Sequence, residues 1–370
     1  MKRYRWHAGV AAAVAAVTSA CSVHPLMPGS VTGAHSRHTD PGQAPSQPPI
    51  LGADLYSRGN YPASYVRRNG QRALYYIRHT LGASSVGISW NFFEPDIHSN
   101  AVLAEGGTLT PASVQMLTQM AYKEHLTVEY RPLIEVTASS LGSRGIINPQ
   151  NWEGFIAPQN QARWFASYYK AELPYLQIAQ RLHVREFITG SELQFLDSSS
   201  QWPSFLRSVG AVYHGIVSYA SEQRNYFPAY GGQHLLKLSY FGVDAYPEIF
   251  LPPTATVSQI VAGWDRLFRG IPAQVLYRTA LDEVGIRATD GAYYHPSLWG
   301  VGGKFDETVQ ARWFTAACDV VEQFHLRAIY FWNVNLANDP AHPPFPSPPT
   351  FEGKPAANSI RGCLGTFHES

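Results

Sequence analysis

The chain has 370 residues, of which 45% are hydrophobic and only 15% charged, and a formal net charge of +1. That is ample material for a large buried core, and no basic stripe is present to suit a phosphate backbone, so nucleic acid is excluded as a partner.

In chain order, Lys2, Arg3 and Arg5 precede an apolar stretch, residues 8–17, too short to span a bilayer. Thr18-Ser19-Ala20-Cys21 then puts small residues before a cysteine, as at a signal-peptide cleavage site. Residues 1–20 read as a signal peptide. The pattern resembles a bacterial lipobox, with Cys21 as the lipidated first residue of a membrane-anchored mature chain. Thr18 stands where Leu or Val is usual, so a plain secreted form is the alternative. Loss of the three cations moves the formal charge from +1 to −2. Residues 22–49 are rich in Pro, Gly, Ser and His without apolar periodicity and read, with Cys21, as a flexible tether (21–49). The folded domain is expected at 50–370.

From residue 50, strand-like and helix-like segments alternate. Residues 50–56 (ILGADLY) read as strand one and 64–80 as a helix; 86–91 (VGISWN) is strand two. Thr110-Pro111 opens a helix with a capping hydroxyl before a first-turn proline. Residues 126–134 form strand three, 159–182 a long helix expected to bend or break at Pro174, and 184–189 strand four. Helix 202–212, strand 214–220, strand 236–246, helix 256–268, strand 274–283, helix 306–324, strand 327–333 and a closing helix 355–364 complete the pattern. Eight βα units with no hairpin signal predict a parallel, closed α/β (β/α)8 barrel, a TIM barrel, as a single domain. No Gly-x-Gly-x-x-Gly follows the first strand, so a dinucleotide fold has no support. The 14 His are scattered and no Cys/His cluster has zinc spacing; neither metal nor cofactor is expected, and a monomer is the default. Cys318 and Cys363 form an even pair in an exported chain, readable either as a disulfide or as two buried thiols.

Catalytic groups of a βα barrel sit where strands end at the C-terminal face. Glu192 falls just after strand four and Glu283 at the end of strand seven, positions that face each other across an eight-stranded mouth. Two opposed carboxylates suit glycoside hydrolysis, one as proton donor and one as nucleophile; a gap of about 5–5.5 Å would imply retention of configuration. Trp332 ends strand eight and can floor a sugar site. Tyr246 ends strand six, Trp90 and Asn91 end strand two, and Arg131 lies in strand three. All of these are candidates for substrate contact or support, Arg131 also for a salt bridge that orients a carboxylate. Asp244 reads as a structural hydrogen-bond acceptor. Strand alternation should aim Asp282 away from the site.

The phrases FITGSEL (187–193), HGIVSYA (214–220), YFGVDAYPEI (240–249), DEVGIRATDGAYYHP (282–296), IYFWNVN (329–335) and GKPAANSI (353–360) resemble glycoside hydrolase family 113, β-mannanase-like members of the clan A barrels. The resemblance spans most of residues 50–365 and implies Glu192 as acid/base and Glu283 as nucleophile. Ser191 takes the place where many clan A enzymes carry an Asn that binds the substrate 2-hydroxyl. The implied substrate is a β-linked polysaccharide or oligosaccharide, mannan first. The rivals are a related hydrolase for a glucan, arabinan or galactan, and a sugar-binding lipoprotein without catalysis. The Pro-rich stretch 337–350 is placed to shape the cleft.

Overall fold

The computed structural model describes residues 48–137, 152–226, 238–299, 303–343 and 350–365, all within one compact unit. Cys21 and the leader and tether before residue 48 lie outside the described residues.

Eight strands pair in parallel and in chain order, and the eighth closes onto the first. They are β1 (Ile50–Ser57), β2 (Ser85–Glu94), β3 (Thr127–Val136), β4 (Glu186–Ser191), β5 (Ile216–Glu222), β6 (Phe241–Asp244), β7 (Thr279–Val284) and β8 (Ala328–Asn335). The helices that cover them include α1 (Ala63–Tyr75), α2 (Pro111–Lys123), α3 (Gln161–Leu182), α4 (Trp202–Gly210), α5 (Val257–Phe268), a one-turn α6 (Ala273–Leu276), α7 (Glu307–Phe324) and α8 (Pro355–Arg361). The protein has the single-domain (β/α)8 fold.

Polar caps start the helices. Thr110 accepts from the Ser113 amide with Pro111 at the first turn, and Thr256 and Gln259 form a reciprocal capping box. Pro174 sits inside α3 without breaking it. Two other segments differ from expectation. The sixth strand is four residues rather than eleven, with 236–237 outside the described residues. The run 274–283 begins as α6, which follows Pro272 in the cap position, and becomes a strand only at Thr279.

Outward side chains of the strands join a continuous apolar layer under the helices. Inward ones include a set of buried polar and charged groups beside Ala280 and Ala328. Glu186 takes both guanidinium nitrogens of Arg327 (2.7 and 2.9 Å) and the Ser218 hydroxyl (2.6 Å). Asp54 accepts from Ser89 (3.0 Å), and Tyr330 donates to Ser85 (2.8 Å). Gly87 and Gly242 have no room for a Cβ, because the carboxylates of Asp54 and Asp282 occupy that space. Cys318 of α7 is disulfide-bonded to Cys363 just beyond α8. No helix among the described residues is long and apolar enough to cross a membrane.

Candidate active site

Glu192 follows β4 in a left-handed backbone conformation (φ 54°), which disfavours a non-glycine residue. Its amide donates to the Ala220 carbonyl of β5 (2.8 Å), which pins the turn. Strain held by surrounding hydrogen bonds is typical of functional positions. Its Oε2 accepts from the Trp152 indole N–H at 3.1 Å. Burial, then the charges of Asp244, Glu153, Glu283 and Glu222, raise its pKa well above the ordinary carboxylate range.

Glu283 lies opposite, in β7. Regular alternation would turn it outward, since Leu281 packs into the outer apolar layer and Ala280 into the lumen. The register of β7 shifts against both neighbours here, and the shift turns Glu283 into the mouth. Its Oε1 meets Arg131 Nη2 at 3.0 Å, and its Oε2 accepts from the Tyr246 hydroxyl at 2.6 Å. Burial raises its pKa to about 8, with Arg131 and Tyr246 opposing the rise and Asp244 and Glu153 adding to it.

Arg131 is the hub beneath them. Fully buried, it donates to Asp244 Oδ1 (2.6 Å), Ser191 Oγ (2.9 Å) and the Asp282 carbonyl (2.5 Å). Ser191 passes its own hydroxyl hydrogen to Asp244 Oδ2 (2.8 Å). The guanidinium lies 5.8 Å above the Trp332 ring, which also packs on Tyr56 at 4.8 Å. Asn91 donates to Glu135 (2.7 Å) and to the Tyr56 hydroxyl (3.0 Å). The arrangement places one buried carboxyl among like charges and beside an indole donor, and the other against a cation and a phenol whose contacts favour its ionised form.

Comparison with known proteins agrees with this geometry. The family model of Glycoside Hydrolase Family 113 matches residues 57–340. The chain belongs to glycoside hydrolase family 113. It is a glycoside hydrolase. Similar solved structures include two of a GH113 beta-1,4-mannanase, one of them a complex. They share 15% and 16% identity with the chain, with TM-scores of 0.70, and cover 87% of it and 100% of the mannanase. The GH113 beta-mannanase AaManA from Alicyclobacillus acidocaldarius, in complex with ManMIm, follows at 15% identity and TM-score 0.65, covering 86% of this chain and 98% of its own. No curated protein sequence matched.

In this family 113 barrel, Glu192, Glu283, Arg131, Ser191, Asn91, Tyr246 and Trp332 converge at the C-terminal mouth. Trp90 does not, and its assignment to the substrate site is corrected. It faces outward and is fully buried between Tyr175 (stacked, 4.6 Å) and Tyr130, because β2 alternates and Asn91 takes the inward position. Arg131, with no exposed surface, and Ser191, with both polar contacts inside the network, support the carboxylates rather than meet a sugar. Asp282 is a second correction. It points into the lumen, where its carboxyl oxygens have no hydrogen-bond partner among the described residues. Burial and the nearby Glu129 and Glu186 raise its pKa well above the ordinary carboxylate range. Of the Pro-rich stretch, residues 344–349 lie outside the described residues.

Sequence reasoning missed Trp152, Glu153, Glu135 and Tyr56. Glu135 and Tyr56 share the inward parity of Arg131 and Asp54, and strict counting along β3 and β1 finds them. Trp152 and Glu153 belong to the loop after β3, where no periodicity points to them. Among the described residues no group of His, Cys, Asp or Glu has metal-ligating geometry.

Proposed function

We propose that this family 113 hydrolase cleaves a β-linked polysaccharide or oligosaccharide, β-1,4-mannan first, with retention of configuration and with Glu192 and Glu283 as its working pair. The observation that carries the mechanism is the unequal support of the two carboxyls: Glu283 is held by Arg131 and Tyr246, whereas Glu192 meets an indole N–H. Protonated Glu192 donates its proton to the glycosidic oxygen as that bond breaks. Ionised Glu283 attacks the anomeric carbon and forms a glycosyl ester. Glu192, now a carboxylate, takes a proton from water, and the hydroxide oxygen displaces Glu283. The cycle restores both groups and requires no cofactor. The mannan assignment is supported by the similar structures, which are described as β-1,4-mannanases.

An exported, lipid-anchored location through Cys21 is part of the proposal. It is supported by the leader pattern and by the Cys318–Cys363 disulfide, which suits an oxidising compartment. Release of reducing sugar from a panel of β-mannans, β-glucans and β-galactans tests the function, with Glu283→Gln as the blank. Activity on mannan that is absent in the variant is expected. Preference for another polymer would move the substrate. Sugar binding without release by either protein would replace the enzyme with a binding protein.

A further inference from the structure

Three aromatic rings run outward from Glu192 in an unbroken edge-to-face chain. Trp152, whose N–H holds the Glu192 carboxyl, meets Phe155 at 5.7 Å, and Phe155 meets Phe195 at 5.4 Å. Phe195 is 56% exposed, one of several exposed aromatic rings on the fold, and it continues a chain of rings that starts at Glu192. Its position is fixed all the same. It lies in the short turn Gln194–Leu196, which is tied down at both ends: the Leu193 amide donates to the Tyr219 hydroxyl (2.9 Å), and the Trp202 indole donates to the Leu196 carbonyl (2.7 Å). Phe155 sits in a matching turn, Glu153–Phe155, closed by the Ile156 amide on the Glu153 carbonyl, with Ile156 buried beneath it. Two anchored turns that hold an aromatic strip in water make a prebuilt apolar surface.

The side of the cleft follows from the chemistry. The group that receives a proton from Glu192 is the oxygen that leaves, so what lies beyond Glu192 on the far side from Glu283 faces the departing part of the glycan. The sugar whose anomeric carbon is attacked belongs with Glu283, Tyr246 and Trp332. We propose that Trp152, Phe155 and Phe195 form the binding surface for the leaving-group half of the substrate, one or two glycosyl units whose C–H faces lie on the rings. Trp152 also serves there as a positioning residue that ties this surface to the proton donor. The inference rests on the assignment of Glu192 and Glu283 above.

The test compares two substrates that share the attacked sugar and differ in what leaves. One is a β-linked oligosaccharide of the preferred glycan. The other is the corresponding β-glycosyl fluoride, whose leaving group is too small to reach the rings. Fluoride hydrolysis by the wild type and its loss in Glu283→Gln first secure the nucleophile, and loss of oligosaccharide hydrolysis in Glu192→Gln secures the proton donor. Phe195→Ala, at an exposed site, is then expected to lower kcat/KM on the oligosaccharide by about tenfold, the scale of one aromatic stacking contact. The fluoride rate should stay within about twofold, and Phe155→Ala should repeat the pattern. An equal loss on both substrates, or no loss on either, overturns the inference. A wild type inactive on both substrates removes the assignment of the pair and the inference with it.

Discussion

Tyr246 is the residue whose contribution can be isolated most cleanly. Its hydroxyl donates 2.6 Å to Glu283, and its ring packs against Trp299, so Tyr246→Phe removes one donor and leaves the packing in place. A hydrogen bond to a charged group is worth about 1.5–3 kcal/mol, so kcat/KM should fall roughly 10- to 100-fold. The bond favours ionised Glu283, so its loss raises that pKa and should move the acidic limb of the kcat/KM profile to higher pH. An unmoved acidic limb would show that the limb belongs to another group. Glu192 and Glu283 were picked out by their places at strand ends, although Glu283 reaches the mouth only through the register shift of β7. Trp90, read at the end of strand two, and Asp282 face otherwise than expected, because the facing of each depends on the phase of alternation. A register shift in β7 carries Asp282 and Glu283, neighbours in sequence, to the same side, and no single-residue pattern announces such a shift.

At the scale of elements, α7 and the short α8 are joined by the Cys318–Cys363 disulfide, which closes a span of 45 residues. Loop-closure entropy for that span stabilises the fold by about 4 kcal/mol. Replacing both cysteines with Ser should lower Tm by more than about 5 °C, and reductant should lower the wild-type Tm to a similar degree. A wild type indifferent to reductant would place the stability of this corner in the packing of α7 and α8 alone. The long amphipathic helices and most strands were legible because their periodicities run over enough residues to be counted. The seventh strand was misread at its start, because the run from Gln274 is apolar enough for either state and only Pro272 separates them. The sixth was overextended by its apolar flanks.

At the scale of the whole molecule, this barrel carries ionisable groups in its lumen and beneath its helices. Burial raises the pKa of Glu94 and Glu172 to about 8, of Glu129 to about 7 and of Asp197 to about 6. The folded state therefore binds more protons than the unfolded state between about pH 4 and 8, so these groups lower stability as pH rises through that window. Glu186, lowered by Arg327, has the opposite sign, but its contribution is already complete above its ordinary pKa. Calorimetry should find Tm falling by several degrees from pH 5 to pH 8; a flat or rising Tm would mean that these carboxyls are relieved by groups not counted here. The measurement that tests the central claim most directly is the anomeric configuration of the first product, followed by proton NMR at early times on β-1,4-mannan. Double displacement through Glu283 predicts that the β-anomer forms first and the α-anomer grows in only by mutarotation. Initial release of the α-anomer would contradict the account.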